Sequence, residues 1–164
     1  MTIASVTTDI NIGPFRIPSN AQNMIMNNYA NRKQLSVEVV IPEPIKSDQL
    51  ATTQWLHKDF YFSNIILCSI HQLPRDNNHL NALINKMPNV NFHFAIEGIN
   101  GSGRDFIKSC HLESEYFQET RQSSIDNVND VKLRVYDASN GLWLTDEITV
   151  SDELFDTKFG EITA

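Results

Sequence analysis

Residues 64–96 read NIILCSIHQLPRDNNHLNALINKMPNVNFHFAI, and three kinds of pattern follow one another in them. NIILCSI (64–70) is almost unbroken apolar sequence, as a strand buried on both faces requires. Leu73, Pro74, Arg75 and Asp76 turn the chain. Leu80, Leu83, Ile84 and Met87 then recur at i, i+3, i+4 and i+7, the stripe of an amphipathic helix. Pro88 and Asn89 close that helix, and VNFHFAI (90–96) reads as a further strand. A strand, a crossover helix and a strand make a βαβ unit, whose strands run parallel.

The same alternation extends towards the start. TIASVT (2–7) is a strand, and Gly13, Pro14 and Pro18 then interrupt regular structure. Ser19 or Asn20 is placed to cap a helix over about 20–33, with Ala21, Met24, Ile25 and Tyr29 at helical spacing. LSVEVVI (35–41) alternates, with Leu35, Val37, Val39 and Ile41 to one side, and suits an edge strand ended by Pro42 and Pro44. Ser47 or Asp48 is expected to cap a second helix through about Lys58. The fold class that results is α/β: a flavodoxin- or resolvase-like, mostly parallel sheet in strand order 2-1-3-4. The small, polar composition of TIASVT fits a central strand poorly.

Beyond Glu97 the pattern loosens. Gly98, Gly101 and Gly103 flank a loop, a short helix covers about 104–112, and residues 113–130 are polar and poorly periodic. Residues 131–136 and 142–150 read as strands around DASNG (137–141), whose Asn-Gly pair favours a tight hairpin turn. The expected organisation is an α/β domain at 1–112 with a C-terminal extension at 113–164, carrying this β-hairpin within the same compact unit.

Composition bounds the function. The chain has 164 residues, 41% of them hydrophobic, and a formal net charge of −7. That length suits one domain with a real core. The acidic balance speaks against a protein that tracks nucleic-acid phosphates with clustered Lys and Arg. No apolar stretch approaches the roughly 20 residues that span a bilayer. MTIASVTTDI lacks the basic and apolar regions of a secretory leader, so a cytoplasmic protein without a membrane partner is expected. Cys68 and Cys110 make no disulfide framework, and the histidines show no metal-ligand spacing. No metal or cofactor is expected.

In an open parallel sheet, ligands bind beyond the carboxyl ends of the strands. That rule collects Arg16 and the segment before it, Glu43, Ser69, His71, Gln72 and Glu97, with Gln22 and Asn23 in the first turn of the following helix. Such a set can hold a polar small molecule, Arg16 gripping a phosphate or carboxylate. His71 is the candidate general base, its side chain titrating near neutrality, and Glu97 the group that orients it. Equally, these residues can be rim side chains that satisfy turns and backbone. His93 between two phenylalanines reads as a core histidine, and Cys68 as an inert thiol; Cys110 reads as a structural thiol, with a weak nucleophile as the alternative. GINGSG (98–103) has no Walker lysine, which leaves a backbone nest for an anion as its one phosphate-binding option.

Three short motifs add a family resemblance. RIPSNAQN (16–23) with Tyr29 is similar to R-x-P-x-x-x-Q-N…Y, SIHQLP (69–74) to S-x-x-Q-L-P, and HFAIE (93–97) to H-F-A-x-E. In this order and spacing the chain resembles the sporadic carbohydrate cluster protein family over roughly residues 10–100. Those are small bacterial proteins encoded among surface-polysaccharide biosynthesis genes, with no assigned reaction. The resemblance implies a role near sugar or nucleotide-sugar metabolism. It marks Arg16, Pro18, Gln22, Asn23, Tyr29, Ser69, Gln72, Pro74, His93 and Glu97 as matched positions. Where the family tends to carry an S-A-T-E-Y-like stretch, this chain has VIPEP (40–44). The helix opened by Gln22 and Asn23 also resembles the start of resolvase-type recombinase domains, in fold plan alone.

Two expectations follow. The first is a protein that binds or modifies a sugar or nucleotide-sugar at the strand-end rim, with Arg16, Gln22, Asn23, Ser69 and Gln72 binding and His71 and Glu97 handling protons. The second is a non-catalytic module that forms a homo-oligomer or meets a partner through the hairpin and Leu142, Trp143 and Leu144.

Overall fold

The computed structural model describes residues 2–9, 16–44, 49–127, 130–146 and 148–151, and of 121–127, 130–133 and 148–151 the backbone alone. They divide into two compact units, Met1–Gln118 and Glu119–Ala164.

In the first unit, β1 (Thr2–Thr8), β2 (Val39–Glu43), β3 (Phe62–Leu67), β4 (Asn91–Phe94) and β5 (Ile99–Gly101) form one sheet in the order β2-β1-β3-β4-β5. Pairings β1–β2, β1–β3 and β3–β4 are parallel, and β4–β5 is antiparallel. The helices are α1 (Ser19–Arg32), α2 (Ala51–Phe60), α3 (Asn77–Lys86) and α4 (Arg104–Asn127), the last of which runs on past residue 118. The expected order 2-1-3-4 is therefore present, extended by β5 at its far edge.

Alternation along the strands divides the core between the two faces. Ala4, Val6, Ile41, Ile65, Leu67, Phe92 and Phe94 pack with Leu80 and Leu83 of α3 and Ile107 and Cys110 of α4. On the other face Ile66, Cys68 and Ala95 pack with Met26, Tyr29 and Ala30 of α1. β1 is central despite its composition: Ser5, Thr7 and Thr8 are all buried. Small side chains suffice there because parallel ladders on both sides satisfy the strand's backbone.

Several boundaries differ from the sequence reading. Pro42 lies inside β2, paired with Thr7, rather than ending the strand. β2 is an edge strand, where a missing N–H facing outward costs no ladder bond. Neither Ser19 nor Asn20 caps α1, which begins at Ser19 after Pro18 without a side-chain cap. Positions 47 and 48 lie outside the described residues; α2 is capped instead by Glu43. Its Oε1 accepts from the Thr53 amide at 2.7 Å and the Thr53 hydroxyl at 2.8 Å. A carboxylate there meets both the free amides and the positive end of the helix dipole.

The expected glycine loop is β5, so the amides of GINGSG are not an anion nest: Ile99, Asn100 and Gly101 pair with Phe94, His93 and Phe92. Gly98 makes the turn at φ +69°, and the Phe106 ring packs so close over Gly101 that a Cβ would come within 2.7 Å of it. The short helix expected at 104–112 continues to Asn127, since 113–127 contains neither Gly nor Pro to stop it.

In the second unit, β6 (Asp130–Leu133) pairs antiparallel with β9 (Ile148–Ser151), and β7 (Tyr136–Asp137) with β8 (Leu142–Trp143). This is the expected C-terminal hairpin, turned at Gly141 with φ +69°. Arg134 lies 4.2 Å over the Trp143 ring, and Leu142, Trp143 and Leu144 are exposed.

Candidate functional site

The carboxyl ends of β1, β3 and β4 lie side by side because those strands are parallel neighbours. Two glutamines organise this rim, both fully buried. Gln22 accepts from the Thr8 amide at 3.0 Å through Oε1 and donates through Nε2 to the carbonyls of Thr8 and Ile17, each at 2.7 Å. It thus clasps the two ends of the connection between β1 and α1. Gln72 accepts from the amides of Cys68 and Ser69 and donates to the Val6 carbonyl at 3.4 Å and the Thr8 hydroxyl at 3.2 Å. It bridges the ends of β3 and β1, the place where strand order reverses and where α/β sheets usually hold a ligand. Here a glutamine side chain fills that crevice. Both amides are spent on backbone groups and, for Gln72, the Thr8 hydroxyl as well, so neither has the free valence expected of a ligand-binding group.

The open space lies one strand further along. Ser69 caps a single 3-10 turn (Ile70–Gln72) that follows β3, its Oγ accepting from the His71 amide at 3.2 Å. The same hydroxyl donates to Glu97 Oε1 at 2.6 Å, and the Ile70 amide donates to that oxygen at 3.0 Å. Glu97 Oε2 is buried and has no hydrogen-bond partner among the described residues. Leaving a buried carboxylate oxygen unpaired costs about 1–3 kcal/mol or more, which marks this corner of the fold.

Beside this pair is a cavity of about 310 Å³. Its apolar wall is Ile17, Ile70, Ile96 and Phe117; its polar groups belong to Ser69, His71, Glu97 and Glu113. His71 is half-buried, its Nδ1 lies 2.6 Å from Ser114 Oγ, and its ring packs against Phe117 with centroids 5.4 Å apart. Nε2 makes no hydrogen bond among the described residues. Burial holds the His71 pKa below the ordinary histidine value, an effect that Glu97 opposes and Arg75 reinforces. The ring is therefore neutral near pH 7.

The structure thus brings Ser69, His71 and Glu97 together and gives Gln22 and Gln72 structural positions beside them. Arg16 is exposed, and it is Ile17, not Arg16, that lines the cavity. Asn23 is half-buried in the first turn of α1 and does not line the cavity. Glu97 does not contact His71 by hydrogen bond; the group that orients the imidazole is Ser114.

His93 is a core histidine: Tyr29 Oη lies 2.8 Å from Nδ1 and Asn64 Oδ1 2.8 Å from Nε2. With its proton on Nε2 the ring satisfies both neighbours. Cys68 and Cys110 are buried and their thiols are pushed up to about 11, chiefly by loss of hydration, so neither is a nucleophile near neutral pH.

Ser114, Glu113 and Phe117 were not legible as site residues, because 113–118 reads as polar sequence without period. Once the helix is known to continue, Ile107, Cys110, His111 and Ser114 fall at i, i+3, i+4 and i+7, and all four are buried.

No protein-family model matches the chain, and no curated protein matches it in sequence. Among solved structures it is similar to the crystal structure of the N-terminal catalytic domain of TP901-1 integrase. The likeness has 13% identity and a TM-score of 0.50, and covers 75% of this chain and 98% of that one. At that identity the two chains share a fold, the mostly parallel α/β sheet described above.

Proposed function

We propose that this chain binds a sugar, free or as part of a nucleotide-sugar, in the cavity beyond β3 and β4, as a cytoplasmic component of surface-polysaccharide metabolism. The observation that carries the reading is the coincidence of that cavity with a half-buried neutral imidazole and an unspent carboxylate oxygen at the strand-end rim. An apolar wall that includes the Phe117 ring suits the face of a pyranose, and polar groups at one edge suit its hydroxyls. The family resemblance supports the carbohydrate class, since its motif residues Ser69 and Glu97 line the cavity. Any proton transfer would run through His71, with the Glu97 carboxylate held against Ser69 as the second group.

The integrase likeness is a second possible guide, and it carries less. A formal charge of −7 is a poor match for a DNA duplex. A homo-oligomer formed through the hairpin is supported by the exposure of Leu142, Trp143 and Leu144, 63%, 53% and 63% respectively.

Thermal-shift measurement against monosaccharides and nucleotide-sugars tests the sugar reading, because a ligand that binds only the folded state raises its melting temperature. A shift lost in Phe117→Ala but kept in Trp143→Ala supports a sugar in the cavity. No shift with any sugar, together with sedimentation that changes in Trp143→Ala, favours the interaction module.

A further inference from the structure

We propose that Ser114 locks His71 in the tautomer that carries its proton on Nε2, and that the cavity thereby takes an N-acylated amino sugar, receiving the amide carbonyl on that N–H and the acyl group on the apolar wall. This deepens the sugar reading above and rests on it for the ligand, though not for the tautomer.

The tautomer follows from counting protons. Ser114 is buried, and the one hydrogen bond of its Oγ among the described residues is the 2.6 Å contact with His71 Nδ1. A proton on Nδ1 would leave the serine hydrogen without an acceptor in a buried place. A bare Nδ1 accepts that hydrogen and satisfies both groups. The ring proton is then on Nε2, the nitrogen with no partner among the described residues. Burial favours the neutral ring in which this choice exists. His71 is therefore a hydrogen-bond donor to a ligand, the reverse of a general base in the resting site.

The ligand class follows from what surrounds that donor. Ser69 Oγ and Glu97 Oε1 are already engaged with each other. The charged side chains of the lining are the carboxylates Glu97 and Glu113, and no lysine or arginine is among the described lining residues. A phosphate or carboxylate in the cavity would meet like charge. The remaining surface is Ile17, Ile70, Ile96 and Phe117. A neutral ligand that offers one strong acceptor next to an apolar group fits both halves, and an acetamido sugar has that pair on adjacent atoms. Ser114 is a positioning residue in this scheme; it acts through the imidazole.

Nitrogen-15 spectra of the histidine rings read the tautomer in the free protein. The expected result is the Nε2–H pattern for His71, a mixture of tautomers in Ser114→Ala, and a return to Nε2–H in Ser114→Thr. Titration with N-acetylglucosamine should perturb the His71 ring nitrogens, with affinity falling about tenfold in Ser114→Ala and recovering in Ser114→Thr. An Nδ1–H pattern in the wild-type protein overturns the tautomer and leaves the sugar reading standing. Glucose or glucosamine binding as tightly as N-acetylglucosamine overturns the acyl specification and again leaves that reading. If none of the three sugars perturbs His71 or Phe117, the sugar site itself is wrong and the acyl preference goes with it.

Discussion

Ser69 and Glu97, one at the end of β3 and the other in the turn after β4, are joined by a 2.6 Å hydrogen bond from hydroxyl to carboxylate. The bond ties together two neighbouring strand ends and forms one edge of the cavity. Hydrogen bonds to charged groups contribute more than neutral ones, and this carboxylate oxygen also takes the Ile70 amide. Glu97→Ala should lower stability by about 1–3 kcal/mol in urea titration. A double-mutant cycle with Ser69→Ala should give a coupling of about 1–2 kcal/mol. Additive effects of the two substitutions would mean that the pair is not formed in solution.

Gln22 and Gln72 make the same kind of contact with different strand ends, and their amides are closed to solvent. Gln22→Leu keeps the size of the side chain but strips the partners from the Thr8 amide and from two carbonyls. The expected cost is about 2–4 kcal/mol, since unsatisfied buried backbone groups each forfeit their hydration. Gln22→Glu should also destabilise, because a carboxylate repels those carbonyls. Melting temperature checks both. A neutral outcome for Gln22→Leu would remove the clasp from the account of the fold.

Acid should weaken the protein. His57, His71 and His93 all have pKa values lowered from the ordinary 6.5, each chiefly by loss of hydration on burial. The folded state then binds fewer protons than the unfolded chain as the pH falls below 6.5. Their contribution is complete above that value and drains away as pH drops through the lowered ones. Urea midpoints at about pH 7.5 and about pH 5 should differ, the acidic one being lower. His93→Gln should shrink the difference, since His93 is the most buried of the three. An equal difference in His93→Gln would assign the effect elsewhere.

The two thiols should be silent. Cys68 and Cys110 are 0% and 2% exposed, and both are held protonated by burial, with Glu97 adding to the effect. A colorimetric thiol reagent near neutral pH should report no fast-reacting group in the folded protein and two after unfolding. Rapid reaction of Cys110 in the native state would contradict the burial of α4 against the sheet, and rapid reaction of Cys68 the packing of α1 on the other face.

Hydrophobic period alone determined the parallel part of the sheet, and missed β5 at its edge. An unbroken apolar run at 64–70, a helical stripe at 80–87 and a second run at 90–96 admit few other arrangements, because parallel strands need a crossover between them. Strand-end placement then picked out Ser69, His71 and Glu97, which do gather around one cavity. Tertiary structure decided what each polar residue is free to do. Gln22 and Gln72 look like ligand-binding amides in sequence, yet burial next to unpaired backbone groups commits them to the fold. Glu43 caps a helix, and Pro42 is tolerated where an edge strand needs no donor. Ser114 came to His71 from residues distant in sequence, by way of a helix whose apolar face is too thin to show as a stripe. A side chain's identity sets which hydrogen bonds it can make; only the packed chain sets which of them remain unmade.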